Sequence, residues 1–138
     1  RWWAATGHGA WAEADGAPAR RIHVSAIADL ADATLSYNSL KHWDEAGRLD
    51  QLIQLSRAVG RTRAFGDLWS YMLLAEGSID IAAEFDVKPW DVAALIPIVR
   101  EAGGAVTDAS GGDRLDSLSI VASNGALHPA VLDFLAFR

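Results

Sequence analysis

The chain has 138 residues, of which 51% are apolar and 22% charged, with a net charge of −6. Those values describe one folded domain and exclude intrinsic disorder, and no basic stripe offers a surface for nucleic acid. Without a cysteine the chain can form no disulfide, thiolate zinc site or thiol nucleophile, and its apolar stretches are too short to span a bilayer.

The first segment reads as a β-meander. Trp2 to Thr6 and Ala10 to Glu13 are predicted strands around a Gly7-His8-Gly9 turn. Asp15-Gly16 is a second turn signal, and Arg21 to Val24 alternates as a third strand. A helical turn is expected over Ala26 to Ala31, then a strand from Ala33 to Tyr37. Leu49, Leu52, Ile53 and Leu55 form one face of a predicted helix from Glu45 to Val59, closed by Gly60. Thr62 to Phe65 is a strand, and Asp67 N-caps a helix that runs to Glu76. Ile79 to Glu84 is a strand, and Pro89 opens a helix to Glu101 with a kink expected at Pro97. Ala105 to Asp108 and Ser119 to Ser123 are short strands, and His128-Pro129 opens a last helix through Phe137. Strands alternating with helices predict an α/β layered domain, a mixed sheet covered by helices on both faces, preceded by an N-terminal β-hairpin. The division expected is residues 1–25 as the hairpin or meander and 26–138 as the α/β domain.

Few motifs carry chemistry by themselves. Gly7-His8-Gly9-Ala10-Trp11-Ala12 loosely fits a dinucleotide fingerprint, but Glu13-Ala14-Asp15-Gly16-Ala17-Pro18 cannot be the helix that chemistry requires. His8, His23, His42 and His128 share no metal-ligand spacing and are expected at the surface or in caps. Three carboxylates stand out because each follows a predicted strand. Asp91 lies in the first turn of a helix, where it serves either as an acidic first-turn residue or as a ligand for a hard cation such as Mg²⁺. Glu84 ends a strand, where ligands of open α/β sheets bind. Asp67 is either a plain cap or a further acid at the same rim. If the strands are parallel neighbours, the three converge.

Gly66-Asp67, Ile81-Ala82-Ala83-Glu84, Pro89-Trp90-Asp91-Val92-Ala93-Ala94 and Arg100-Glu101-Ala102-Gly103-Gly104 together resemble the inositol monophosphatase superfamily. The opening Arg1-Trp2-Trp3-Ala4-Ala5-Thr6-Gly7-His8-Gly9-Ala10-Trp11 is similar to that family's middle hairpin. The resemblance covers essentially the whole chain but only the C-terminal half of the family's fold, so residues 1–25 are expected to be a remnant of the N-terminal half. It implies a Mg²⁺-dependent hydrolase of small phosphomonoesters, cytoplasmic and homodimeric when full length, with no nucleic-acid or membrane partner. It also implies that Asp91 binds a catalytic metal and that Glu84 contacts the non-phosphate part of the substrate. The family's upstream Asp-Pro-x-Asp-Gly-Thr motif and Glu-Glu pair are not in this chain, which alone is expected to be inactive.

Within the superfamily the chain is most similar to the histidinol-phosphate phosphatase branch of histidine biosynthesis. Asp67 stands where polyol phosphatases carry a small residue, and a second acid beside Glu84 would favour a cationic amine. An inositol or other sugar phosphate is the alternative substrate, and a non-enzymatic α/β binding domain is the alternative of another class.

Overall fold

Ile81–Phe85 is buried at every position, which places it at the centre of a sheet covered on both sides. The computed structural model describes residues 1–114 and 116–136. It contains two sheets. The first is an antiparallel meander of β1 (Trp2–Ala5), β2 (Gly9–Ala12) and β3 (Arg20–Ile22). The second has five strands: β4 (Thr34–Ser36), β5 (Arg61–Arg63), β6 (Ile81–Phe85), β7 (Ala105–Thr107) and β8 (Ser119–Ser123). Their order is β5-β4-β6-β8-β7. β5, β4 and β6 run parallel, whereas β8 pairs antiparallel with both β6 and β7. The sheet is therefore mixed, as the pattern of elements predicts.

Side-chain alternation along β6 and β8 feeds two cores. Ala82, Ile120 and Ala122 face a cluster with Tyr71, Leu74, Val99 and the meander residues Ala10, Ala12 and Ile22. Ile81, Ala83, Phe85 and Val121 face a second cluster with Trp43, Leu52, Leu55 and Leu135. The helices that supply these residues are α1 (Leu40–Glu45), α2 (Leu49–Ala58), α3 (Asp67–Ala75), α4 (Pro89–Val92), α5 (Leu95–Glu101) and α6 (His128–Leu135). Among the described residues no helix is long and apolar enough to cross a membrane.

Three helical expectations change. The helix predicted over Glu45 to Val59 starts later, as α2 at Leu49, because Gly47 takes a φ of 67° and turns the chain after a separate helix, α1. The unexpected α1 is held by Trp43, whose buried ring meets Phe85 edge-on at 4.8 Å and whose indole N–H donates to the Tyr37 carbonyl at 2.9 Å. The helix predicted from Pro89 to Glu101 is interrupted at Ala93-Ala94, which divides it into α4 and α5 just ahead of Pro97. Pro97 has no N–H to donate to the Ala93 carbonyl one turn earlier, so the interruption is the one expected of it. The turn predicted over Ala26 to Ala31 reduces to a single 3-10 turn at Leu30–Asp32.

Candidate functional site

The parallel strands β4, β5 and β6 all end on one side of the sheet, and the chain leaves each through a residue of left-handed backbone. Asn38 follows β4 with φ 58°, Asp67 follows β5 with φ 54°, and Asp86 follows β6 with φ 63°. Asn and Asp tolerate this conformation better than other non-glycine residues, yet it still costs energy that only a packed surrounding can hold. Asn38, Asp67 and Asp86 line one cleft of about 460 Å³, with His42, Glu84 and Asp91. The three carboxylates singled out from the sequence are thus brought together. β4 lies between the two strands that deliver Asp67 and Glu84, so the convergence needs three parallel strands rather than two.

Glu84 is 7% exposed. Its Oε1 accepts from the Tyr71 hydroxyl at 2.7 Å, and its Oε2 accepts from the Asn38 side-chain amide. Burial pushes its carboxyl above the usual range, the nearby Asp67 charge adds to the rise, and the two hydrogen bonds oppose it. The same burial, with the Glu84 charge beside it, holds the Tyr71 hydroxyl protonated.

Asp67 is not the N-cap that its position after Gly66 predicts. Gly66 occupies that place and gives no side-chain cap, while Asp67 is the first residue of α3. Its exposed carboxylate makes no hydrogen bond or ion pair among the described residues. Helix capping therefore accounts for neither its left-handed backbone nor its unpaired charge. Asp91 is exposed in the first turn of α4, and its Oδ2 accepts from the Lys88 backbone N–H at 2.9 Å. Its other oxygen has no hydrogen-bond or ion-pair partner among the described residues. Among the described residues no three His, Cys, Asp or Glu side chains are placed to hold a metal ion. An octahedral hard cation takes several oxygens, so the one carboxylate of Asp91 could hold such an ion only together with further ligands.

Sequence reasoning missed Asn38, His42 and Asp86. Their signal is the left-handed backbone of Asn38 and Asp86, which no local pattern of residues announces, and the helix α1 that carries His42. The surface or capping role expected of the histidines holds for exposed His8 and His23 and fails for the other two. His42 is half-buried, and its Nδ1 is buried with no hydrogen-bond partner. His128 is buried at the start of α6, with Nδ1 2.9 Å from the Ser123 hydroxyl and Nε2 3.0 Å from the Thr107 hydroxyl. It joins that helix to β7 and β8, and burial lowers its affinity for a proton.

The chain matches the model of the inositol monophosphatase family over residues 1–136. It belongs to that family. A histidinol-phosphatase of Streptomyces coelicolor is 47% identical over 138 residues, which are 100% of this chain and 52% of the relative. One of Mycobacterium tuberculosis is 50% identical over 132 residues, 96% of this chain and 51% of the relative. Among solved structures, SuhB of Mycobacterium tuberculosis superposes with a TM-score of 0.81 at 25% identity, covering 97% of this chain and 53% of that one. The extragenic suppressor protein suhB of Bartonella henselae gives 0.78 at 29% identity, covering 93% of this chain and 52% of that one. The chain spans about half the length of the curated relatives it matches. The fold predicted from the sequence is thus the inositol monophosphatase fold over that half.

Proposed function

We propose that this family member forms the substrate-reading half of a magnesium-dependent phosphomonoesterase that hydrolyses histidinol phosphate. The observation that carries the reading is the idle carboxylate of Asp67 beside the buried, hydrogen-bonded carboxylate of Glu84. Two acids at one rim favour a cation over a neutral polyol, and histidinol phosphate carries a primary ammonium group. The two histidinol-phosphatases at 47% and 50% identity support the same substrate.

In this reading Asp91 supplies one carboxylate to the metal, and the remaining ligands come from outside the chain. Bound magnesium supplies an acidified water and neutralises charge on the leaving oxygen. Asp67 and Glu84 hold the ammonium and so fix the ester oxygen in place, a contribution of orientation. Tyr71 and Asn38 keep the Glu84 carboxylate aimed. Hydrolysis forms a bond from water oxygen to phosphorus and breaks the bond from phosphorus to the histidinol oxygen. That oxygen leaves with a proton, giving histidinol and inorganic phosphate. Alone, the 138-residue chain is expected to show no turnover.

Steady-state kinetics of an Asp67→Asn variant of the full-length protein test the substrate. Asn keeps the tolerance for left-handed backbone and removes the charge. The expected loss in kcat/KM is about 1.5–3 kcal/mol for histidinol phosphate, the scale of a hydrogen bond to a charged group, with an inositol phosphate little affected. An unchanged kcat/KM for histidinol phosphate would sink the assignment. Asp91→Asn is expected to lower kcat with either substrate.

A further inference from the structure

Beyond Phe85 the cleft continues. A second cleft, of about 440 Å³, adjoins the first, and His42, Phe85 and Asp86 belong to the walls of both. Its other polar walls are Glu45, Arg48, Ser110, Ser117 and Ser119. Two observations set this seam apart. The Nδ1 of His42 is, among the described residues, the one buried side-chain nitrogen or oxygen without a hydrogen-bond partner. Such an atom is costly and calls for a reason. In addition, among the described residues the four non-glycine residues with left-handed backbone, Asn38, Asp67, Asp86 and Leu118, all line the joined trough.

The seam has the chemistry to read a small nitrogen heterocycle. A neutral imidazole offers one N–H donor and one acceptor, and an imidazolium offers two donors. Asp86 uses Oδ1 to pair with the Lys88 ammonium at 2.7 Å, which leaves Oδ2 to accept. Serine hydroxyls can donate or accept. The first cleft holds the acids assigned above to the ammonium, so a group carried beyond that ammonium reaches His42 and Asp86 next. We propose that His42 and Asp86 seat the heteroaromatic ring of the substrate and set the preference for it. The assignment rests on the histidinol phosphate reading. Neither residue is assigned a part in breaking the phosphate ester; both are positioning residues.

The test compares histidinol phosphate with alaninol phosphate, which keeps the phosphate and the ammonium but lacks the ring. The protein used is the full-length magnesium-loaded enzyme. His42→Ala is expected to raise KM for histidinol phosphate about tenfold, the scale of one hydrogen bond, while kcat stays within about twofold. The KM for alaninol phosphate should not move. Asp86→Gly serves as a second variant, because glycine accepts the φ of 63° and so preserves the fold. It is expected to show the same ring-selective loss. Equal losses on the two substrates, or no loss on either, would overturn the proposal. A wild-type enzyme that hydrolyses neither histidinol phosphate nor alaninol phosphate would instead overturn the substrate reading, and this inference with it. Turnover of alaninol phosphate as good as that of histidinol phosphate would overturn the ring seat alone.

Discussion

Glu84 shows how a single buried acid sets charge against stability. Burial holds its carboxyl above the ordinary range, so the folded chain takes up this proton more readily than the unfolded chain. Its favourable contribution is therefore complete below the ordinary carboxylate pKa and is lost as pH rises through the higher folded value. At neutral pH the ionised form is a net cost that the Tyr71 and Asn38 hydrogen bonds reduce. Glu84→Gln is expected to raise the thermal midpoint at pH 7 by a few degrees and to flatten its decline above the ordinary carboxylate range. Calorimetry across that range checks it, and an unchanged or lower midpoint at pH 7 would contradict it. The residue itself was legible in the sequence as a strand-end acid. Its partner Asn38 was not, because 46 residues separate the two and only the parallel pairing of β4 with β6 brings them together.

At the scale of elements, legibility follows how local the cause is. The bounds of Ser119–Ser123 and the start of α4 at Pro89 match the sequence pattern to the residue, and at Pro89 the cause is local because proline acts on its neighbours. The helix α1 was not read, because Trp43 stabilises it through Phe85, which is distant in the sequence. Gly103-Gly104, at the end of α5, combines both kinds of cause. Gly103 has a φ of 92°, a local stop signal visible in the sequence. Gly104 answers to a tertiary contact: a β-carbon there would lie 2.7 Å from the Ser123 carbonyl oxygen of β8 and 2.7 Å from Val99 Cγ1. Gly104→Ala is expected to destabilise the fold by about 1–3 kcal/mol through overpacking, and Gly103→Ala by about 1–2 kcal/mol through backbone strain. Urea unfolding of the two variants measures both, and a neutral Gly104→Ala would show that β8 can move away from α5.

Across the whole molecule, two carboxylates fasten the meander to the helices. Glu101 at the end of α5 accepts from the backbone N–H groups of Gly7 at 3.0 Å and Gly9 at 2.9 Å. Glu76, just past α3, accepts from the Trp2 indole at 2.6 Å and from Arg20. The Gly7 and then the Gly9 hydrogen bond hold the Glu101 carboxyl below the ordinary range. Its contribution is therefore present above the ordinary carboxylate pKa and is lost as pH falls through the lower folded value. Glu101→Ala is expected to speed amide exchange at Gly7 and Gly9 at neutral pH while leaving Ile81–Phe85 protected. Equal acceleration in both regions would mean that the meander and the mixed sheet open as one unit. The left-handed residues around the trough bear on how the protein responds to selection. Asn38, Asp67, Asp86 and Leu118 could each become glycine with little change in the path of the backbone. A breeding programme that rewarded heat tolerance alone would find those substitutions early and keep them. Its survivors would have exchanged the charges proposed to choose a substrate for a more comfortable chain, and they would look well made until they were offered one.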